Sequence, residues 1–365
     1  MRNEINMDKK LLYPALCLLV IGMVMIYSSS SVMAQSRFGS QIFFLQRQIL
    51  WLTLALVAGL VIVKIDLKRC AAYSVPLLFI SIVMLALVFL MPARNGSHRW
   101  LFLGPLTIQP SEIFKILVIF YLAFSLSQKK RNIEDWKQIV FPYAPLIGIG
   151  LILIILEPGL GSALTITLTV LTIFFLAGVR LRHLALLIFP LAGLASFMVF
   201  VLGYKRDRVI DYLSAIENPL TGSYQIKQAI LTLGAGNLFG VGLGNGRQKL
   251  FFLPYPHTDF IFASIGEELG FVGLAAILIL FYFIIWRGIK IALYQPDKFG
   301  YLLAMGVTLA MMIAVLMNIG VVTSILPTTG IPLPLLSYGG SALLVSVAAI
   351  AILLNLSRRK GMIVR

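Results

Sequence analysis

Residues 253–286 read LPYPHTDFIFASIGEELGFVGLAAILILFYFIIW. A polar lead-in carrying Pro254 and Pro256 runs into an apolar stretch whose only charges before Trp286 are Glu267 and Glu268. About 20 apolar residues cross the hydrocarbon of a bilayer as a helix. Only helices and closed barrels satisfy their own backbone groups at that depth. The stretch is therefore read as a membrane helix, with Asp259 at its rim. An aspartate near the centre of a membrane helix disfavours insertion by about 2.5–3.5 kcal/mol, so such residues usually mark function. The plainer alternative is a helix cap, with Thr258 or Asp259 accepting from the first N–H groups of the helix.

The same pattern recurs along the chain. Of 365 residues, 59% are hydrophobic and 12% charged, and the mean hydropathy is +0.96. That is too apolar for a soluble domain. Ten spans are read at 11–29, 49–63, 71–91, 113–126, 143–156, 160–179, 183–202, 260–286, 301–322 and 335–354. The long unbroken runs exclude a barrel. The expected fold is an all-α integral membrane protein of about ten transmembrane helices. It forms one polytopic domain over 1–365, with a long extracytoplasmic loop at 204–258 between helices 7 and 8.

Orientation follows from the basic residues in short connections. If the amino terminus is cytoplasmic, the inside segments hold Lys9 and Lys10, Lys64 with Lys68 and Arg69, Arg180 and Arg182, and Arg287 with Lys290. They also hold the basic runs at 129–137 and 358–365. Both termini are thus expected to be cytoplasmic, in a multi-pass membrane protein. The formal net charge of +16 is assigned to topology and anionic lipid, with no nucleic-acid partner. Cys17 and Cys70 support neither a disulfide framework nor a cysteine-based metal site. Span 11–29 superficially resembles a secretory signal, and its length favours an uncleaved anchor.

Three segments break the pattern. Residues 92–110 join the third and fourth spans. Residues 204–258 are too long for an idle connection, and carry Lys205, Arg206, Arg208, Lys227, Arg247 and Lys249 against the positive-inside trend. Basic residues outside suggest an anionic ligand, the alternative being a solvated loop surface. Within that loop, six glycines between Gly234 and Gly246 would let backbone amides form an anion nest. In residues 325–341, Pro327, Pro332 and Pro334 forbid a continuous helix. Irregular backbone at membrane depth is tolerated only where protein or a water-filled cavity covers it, so a re-entrant turn is expected.

In Gln109-Pro-Ser-Glu-Ile-Phe-Lys115, Ser111 is a candidate cap, and Glu112 and Lys115 are three apart on one helical face, where an internal ion pair is the simple account. Glu267 follows Asp259 by eight residues, on roughly the same face. Asp259, Glu267 and Glu268 are oxygen donors of the kind magnesium or manganese prefers, but no close-spaced motif enforces coordination. A divalent cation therefore stays open. His257 either orients Asp259 or is an ordinary loop residue.

Several runs carry a resemblance: Asn95-Gly-Ser-His-Arg-Trp, Gly104-Pro-Leu-Thr-Ile-Gln-Pro-Ser-Glu, Gly240-Val-Gly-Leu-Gly, His257-Thr-Asp-Phe-Ile-Phe-Ala, Gly266-Glu-Glu-Leu-Gly and Pro332-Leu-Pro-Leu-Leu-Ser-Tyr-Gly-Gly-Ser. Together they resemble the FtsW/RodA family of shape, elongation, division and sporulation proteins over essentially the whole chain. Asn318-Ile-Gly-Val-Val and Pro327-Thr-Thr-Gly-Ile-Pro look closer to FtsW than to RodA. The resemblance implies a peptidoglycan glycosyltransferase acting on lipid II, paired with a class B penicillin-binding protein transpeptidase among other divisome or elongasome membrane proteins. It places the essential aspartate at Asp259, motif residues at Arg99, Glu112 and Lys115, and Ser337 in a further motif. Two positions depart from the family pattern, Gly159 and Tyr255, each standing where an acid is usual.

The reading that joins residues and resemblance has Asp259 as general base toward an acceptor hydroxyl, while a polyprenyl diphosphate leaves the donor. Arg99, Lys115, Arg206, Arg208 and Lys227 are the candidate cations for that diphosphate, with Arg99 and Lys115 foremost. The rivals are a lipid II flippase, using Glu112, Lys115 and Glu267 as intramembrane charges, and a noncatalytic scaffold of the wall-synthesis complex.

Overall fold

The computed structural model describes residues 7–93, 97–104, 106–128, 136–201, 203, 206–217, 223–247 and 252–358. Lys205 and Lys249, Asn95 and Gly96, and residues 129–131 and 359–365 lie outside the described residues. The helices are α1 (Lys9–Phe38), α2 (Phe43–Lys64), a short α3 (Leu67–Ala72), α4 (Ser74–Leu87), α5 (Pro110–Ser127), α6 (Trp136–Leu156) and α7 (Leu160–Leu176). They continue as α8 (Leu181–Ser196), α9 (Arg206–Glu217), α10 (Tyr224–Ala235), α11 (Ile261–Leu293), α12 (Lys298–Val322) and α13 (Gly340–Ser357). Each of the ten apolar spans contains most of one helix; span 71–91 also takes in the end of α3, and span 335–354 starts in irregular chain before α13. By length and composition α1, α2, α5, α11, α12 and α13 can each cross a membrane, and 74–90, 143–156 and 160–176 are shorter apolar helices. The chain is a multi-pass, all-helical membrane protein. Among the described residues the only strands are β1 (Leu101–Leu103) and β2 (Leu106–Ile108), an antiparallel hairpin within segment 92–110.

α12 is the axis of the bundle, packing against α5, α7 and α11, while α13 lies along α2. Its buried residues occupy nearly all faces, from Phe299 to Val322, as expected of a helix apolar all round. By contrast α2 and α4 leave Leu60, Val61, Phe79 and Ile80 exposed, which marks them as lipid-facing. At one end of the bundle Arg287 of α11 forms a buried ion pair with Asp8. At the same end Asn355 donates to the carbonyls of Ile62 and Ile65, both at 2.8 Å, closing the C-terminus of α2.

The structure differs from the sequence reading at three points of local chemistry. The long loop carries two helices. α10 forms because Ile226, Ala229 and Thr232, at helical spacing, bury against its neighbours, chiefly α11. Ser111 does not cap α5: Gln109 is the cap residue without a side-chain bond, Pro110 takes the first helical position, and Ser111 is buried inside. Nor does Asp259 cap α11, whose cap residue is Phe260 with no side-chain hydrogen bond. The Asp259 carboxylate is thereby left for other work.

Segment 325–339 is irregular and enters the bundle as expected. Ile331, Leu333, Leu335, Leu336 and Ser337 are buried, so protein covers the backbone that lipid would not tolerate.

Candidate active site

Asp259 is fixed from two sides through its backbone. Asn318 of α12 donates from Nδ2 to the Asp259 carbonyl and to the Ile331 carbonyl, both at 2.8 Å. Ser337 donates from Oγ to the Thr258 carbonyl at 2.8 Å and accepts from the Leu333 amide at 2.8 Å. Two buried polar side chains thus lock the Asp259 segment to the re-entrant segment. The side chain points past Gly330, where an added Cβ would lie 3.5 Å from Oδ2. Among the described residues no donor hydrogen-bonds the carboxylate. Burial raises its pKa from the ordinary 3.8 to about 6, and the fields of Arg99 and then Arg208 oppose the rise.

Both cations are aimed by carbonyl hooks. Arg99, just before β1, donates from Nε to the Glu157 carbonyl at 3.1 Å and from a terminal nitrogen to the Pro158 carbonyl. Arg208 on α9 donates to the Thr328 carbonyl at 2.9 Å, and Tyr212, one turn on, bonds the Ile325 carbonyl at 2.8 Å. Gly161 closes the assembly: an added Cβ there would lie 2.5 Å from the Thr329 oxygen, so the α6–α7 turn docks on the re-entrant segment. Three loops meet around one acid and two guanidiniums.

The other candidates lie elsewhere. Glu112 and Lys115 pair with each other at 2.7 Å. Lys115 borders a groove lined mainly by apolar side chains of α5, α12 and α13, and it is Arg208 that joins Arg99 at the acid. Arg206 and Lys227 are exposed. The His257 ring packs between Phe44 and Tyr338, with centroids 4.5 and 5.5 Å away. Burial, then Arg37, holds its pKa down at about 4. It is a neutral aromatic brace, and among the described residues no hydrogen bond joins it to Asp259. Ser337 contributes through the backbone bonds already given.

Glu267 and Glu268 account for the glycine-rich run. α11 breaks at Gly270, with φ 67° and ψ −168°. The freed amides of Phe271 and Val272 bond the carbonyls of Asn237 and Leu238 at 2.9 and 3.1 Å, and the carbonyls of Glu267 and Glu268 take the amides of Val241 and Gly242. The Glu267 carboxylate accepts from the Arg247 amide at 2.7 Å, and that of Glu268 from the Gly244 amide at 3.0 Å and from Ser28 at 2.6 Å. The expected anion nest exists, but the protein's own carboxylates fill it. Among the described residues no group of three or more His, Cys, Asp or Glu is placed to hold a metal.

Glu157 was not singled out by spacing. It is 1% exposed and Oε1 has no partner among the described residues. Burial raises its pKa to about 8, with Arg99 opposing. Asn318 was equally silent, since an amide in an apolar run signals only that some carbonyl needs a donor. At Gly159 an added Cβ would lie 2.7 Å from the Ile154 oxygen, so an acidic side chain there requires a shift of backbone. Tyr255 is exposed, with φ 55°.

The FtsW/RodA/SpoVE family model, described as cell cycle protein, matches residues 9–361. Stage V sporulation protein E of Bacillus subtilis (strain 168) is 42% identical over 357 residues, covering 96% of this chain and 97% of that protein. A probable peptidoglycan glycosyltransferase FtsW of Geobacter metallireducens is 39% identical over 355 residues, covering 96% and 95%. Among solved structures, one chain of "Structural coordination of polymerization and crosslinking by a peptidoglycan synthase complex" superposes with a TM-score of 0.79 at 29% identity, covering 97% of this chain and 98% of that one. The crystal structure of Thermus thermophilus rod shape determining protein RodA gives 0.72 at 28% identity, covering 98% of each.

Proposed function

The chain belongs to the FtsW/RodA/SpoVE family, and from that membership we propose its reaction in full: as a peptidoglycan glycosyltransferase it polymerises lipid II on the outer face of the bacterial cytoplasmic membrane. The observation that carries the chemistry is the Asp259 carboxylate, half-buried, free of hydrogen-bond donors among the described residues, and faced by Arg99 and Arg208. A general base needs an open lone pair and a pKa near the working pH, and such transfer contributes about 10²–10⁴-fold. Asp259 takes the proton of an acceptor sugar hydroxyl as that oxygen bonds the anomeric carbon of the donor glycan. The bond to the polyprenyl diphosphate breaks, and the leaving oxygen keeps the electron pair. Arg99 and Arg208 stabilise the charge that develops there, usually the largest catalytic effect, and arginine forks match phosphate oxygens in pairs.

The lipid-linked substrate suits a site built where loops meet membrane helices: its sugar reaches Asp259 while its tail stays in the bilayer. A class B penicillin-binding protein that crosslinks the new glycan is the proposed partner. The test is synthesis of glycan from purified lipid II. Asp259→Asn keeps the shape, removes the base and should lower the rate at least 100-fold, whereas polymer made at near wild-type rate sinks the assignment. Transfer of lipid II between leaflets of a liposome with no polymer formed would replace it with the flippase reading.

A further inference from the structure

Glu157 ends in the turn that Arg99 grips, yet the reaction above gives its carboxyl nothing to do. A buried carboxylate lacking donors is costly, whereas the neutral acid is tolerated. Arg99 is near enough to supply donors, but it directs them to the carbonyls of Glu157 and Pro158. Among the described residues Arg99 is the charged group facing Glu157, and beyond it stand Asp259 and Arg208. The re-entrant segment meets the turn through Thr329. The same guanidinium therefore acts on two carboxyls, one at the reaction centre and one buried in the turn it grips.

We propose that Glu157 is a positioning residue kept as the neutral acid, so that Arg99 holds its full charge for the substrate diphosphate, and that ionising Glu157 pulls Arg99 away from that ligand. The proposal rests on the lipid II reading. Its sign is fixed: with the carboxyl raised to about 8, Glu157 is neutral below that pH and anionic above it. Substrate binding should weaken as pH rises through about 8. Arg99 then gains a counter-ion behind it and is a poorer partner for the phosphates in front.

The experiment is steady-state polymerisation of purified lipid II by the full-length protein with its transpeptidase partner, from pH 6.5 to 9.5. Wild type is expected to lose kcat/KM above pH 8 through a rising KM, approaching tenfold per pH unit. Glu157→Gln, which mimics the neutral acid and keeps the backbone carbonyl that holds Arg99, should stay active and lose the alkaline limb. An unchanged alkaline limb in Glu157→Gln overturns the proposal. So does a folded but inactive Glu157→Gln, because the ionisable carboxyl itself would then be required. Wild type alone supplies a second reading: inhibition by polyprenyl diphosphate should weaken about tenfold from pH 7 to 9, and constant or stronger inhibition overturns the idea. If Asp259→Asn stays active, the parent reading falls. If Asp259→Asn is dead and the Glu157→Gln limb persists, only the present inference does.

Discussion

At Asp259 two opposing influences set the chemistry: burial makes the carboxylate basic, and Arg99 and Arg208 keep it ionisable near neutrality. A base with a pKa of about 6 is protonated below that pH, so kcat/KM should climb about tenfold per pH unit up to about pH 6 and stay level from there to about pH 8, where the Glu157 limb begins. Removing a cation that favours the charged form raises the pKa further. Arg208→Ala should therefore shift the acid limb to higher pH and lower the rate at pH 7 at least tenfold. Arg206→Ala, exposed two residues away, should stay within twofold. Equal effects of the two substitutions in a pH–rate profile would remove Arg208 from the site. Asp259 could be singled out in the sequence because it stands in a polar motif beside an apolar run, and Arg99 through the family resemblance. Lys115, singled out with them, pairs in the structure with its i,i+3 partner Glu112. Glu157 and Asn318 were not legible, because their roles depend on which loop folds against them.

Among the elements, α11 carries the least expected feature, a helix broken at Gly270 and repaired by a distant loop. The ten spans could be read because hydrocarbon demands long apolar runs, but nothing in that demand foretells where a helix interrupts itself. The glycine spacing signalled an anion nest without revealing that Glu268, some two dozen residues on, would be the anion. An alanine at Gly270 is excluded twice: φ is 67°, and its Cβ would lie 2.3 Å from the Gly240 amide. That backbone conformation, with ψ at −168°, is essentially restricted to glycine and costs about 1–3 kcal/mol for other residues, and the loop must also detach. Gly270→Ala should lower the melting temperature in detergent and open residues 234–247 to protease. Glu268→Gln retains the shape but weakens the bonds to Ser28 and Gly244, costing about 1–3 kcal/mol. A melting curve of either variant that overlays wild type would show that the clamp contributes nothing. α9 and α10 were missed as helices because the segment around them is polar enough to read as loop, and their packing against α11 and the re-entrant segment is tertiary.

For the whole molecule, one length sets the two ends apart. From Ile261 to Arg287 α11 rises about 39 Å at 1.5 Å per residue, more than the roughly 30 Å of bilayer hydrocarbon, even allowing for the break at Gly270. Asp259 and the buried Asp8–Arg287 pair therefore belong to opposite membrane surfaces. Lys68–Asp297 and the bond from Arg358 to the Val63 carbonyl gather with the pair, so basic residues cluster at that end, which we propose from the positive-inside rule to be the cytoplasmic one. Orientation can be read directly in a Cys17→Ser, Cys70→Ser background. Asp207→Cys, exposed at the start of α9, should react with a membrane-impermeant maleimide on intact cells. Tyr294→Cys, exposed at the end of α11, should react only after permeabilisation. The reverse pattern would turn Asp259 toward the cytoplasm, where a polymer laid down outside the membrane could not be made by this site.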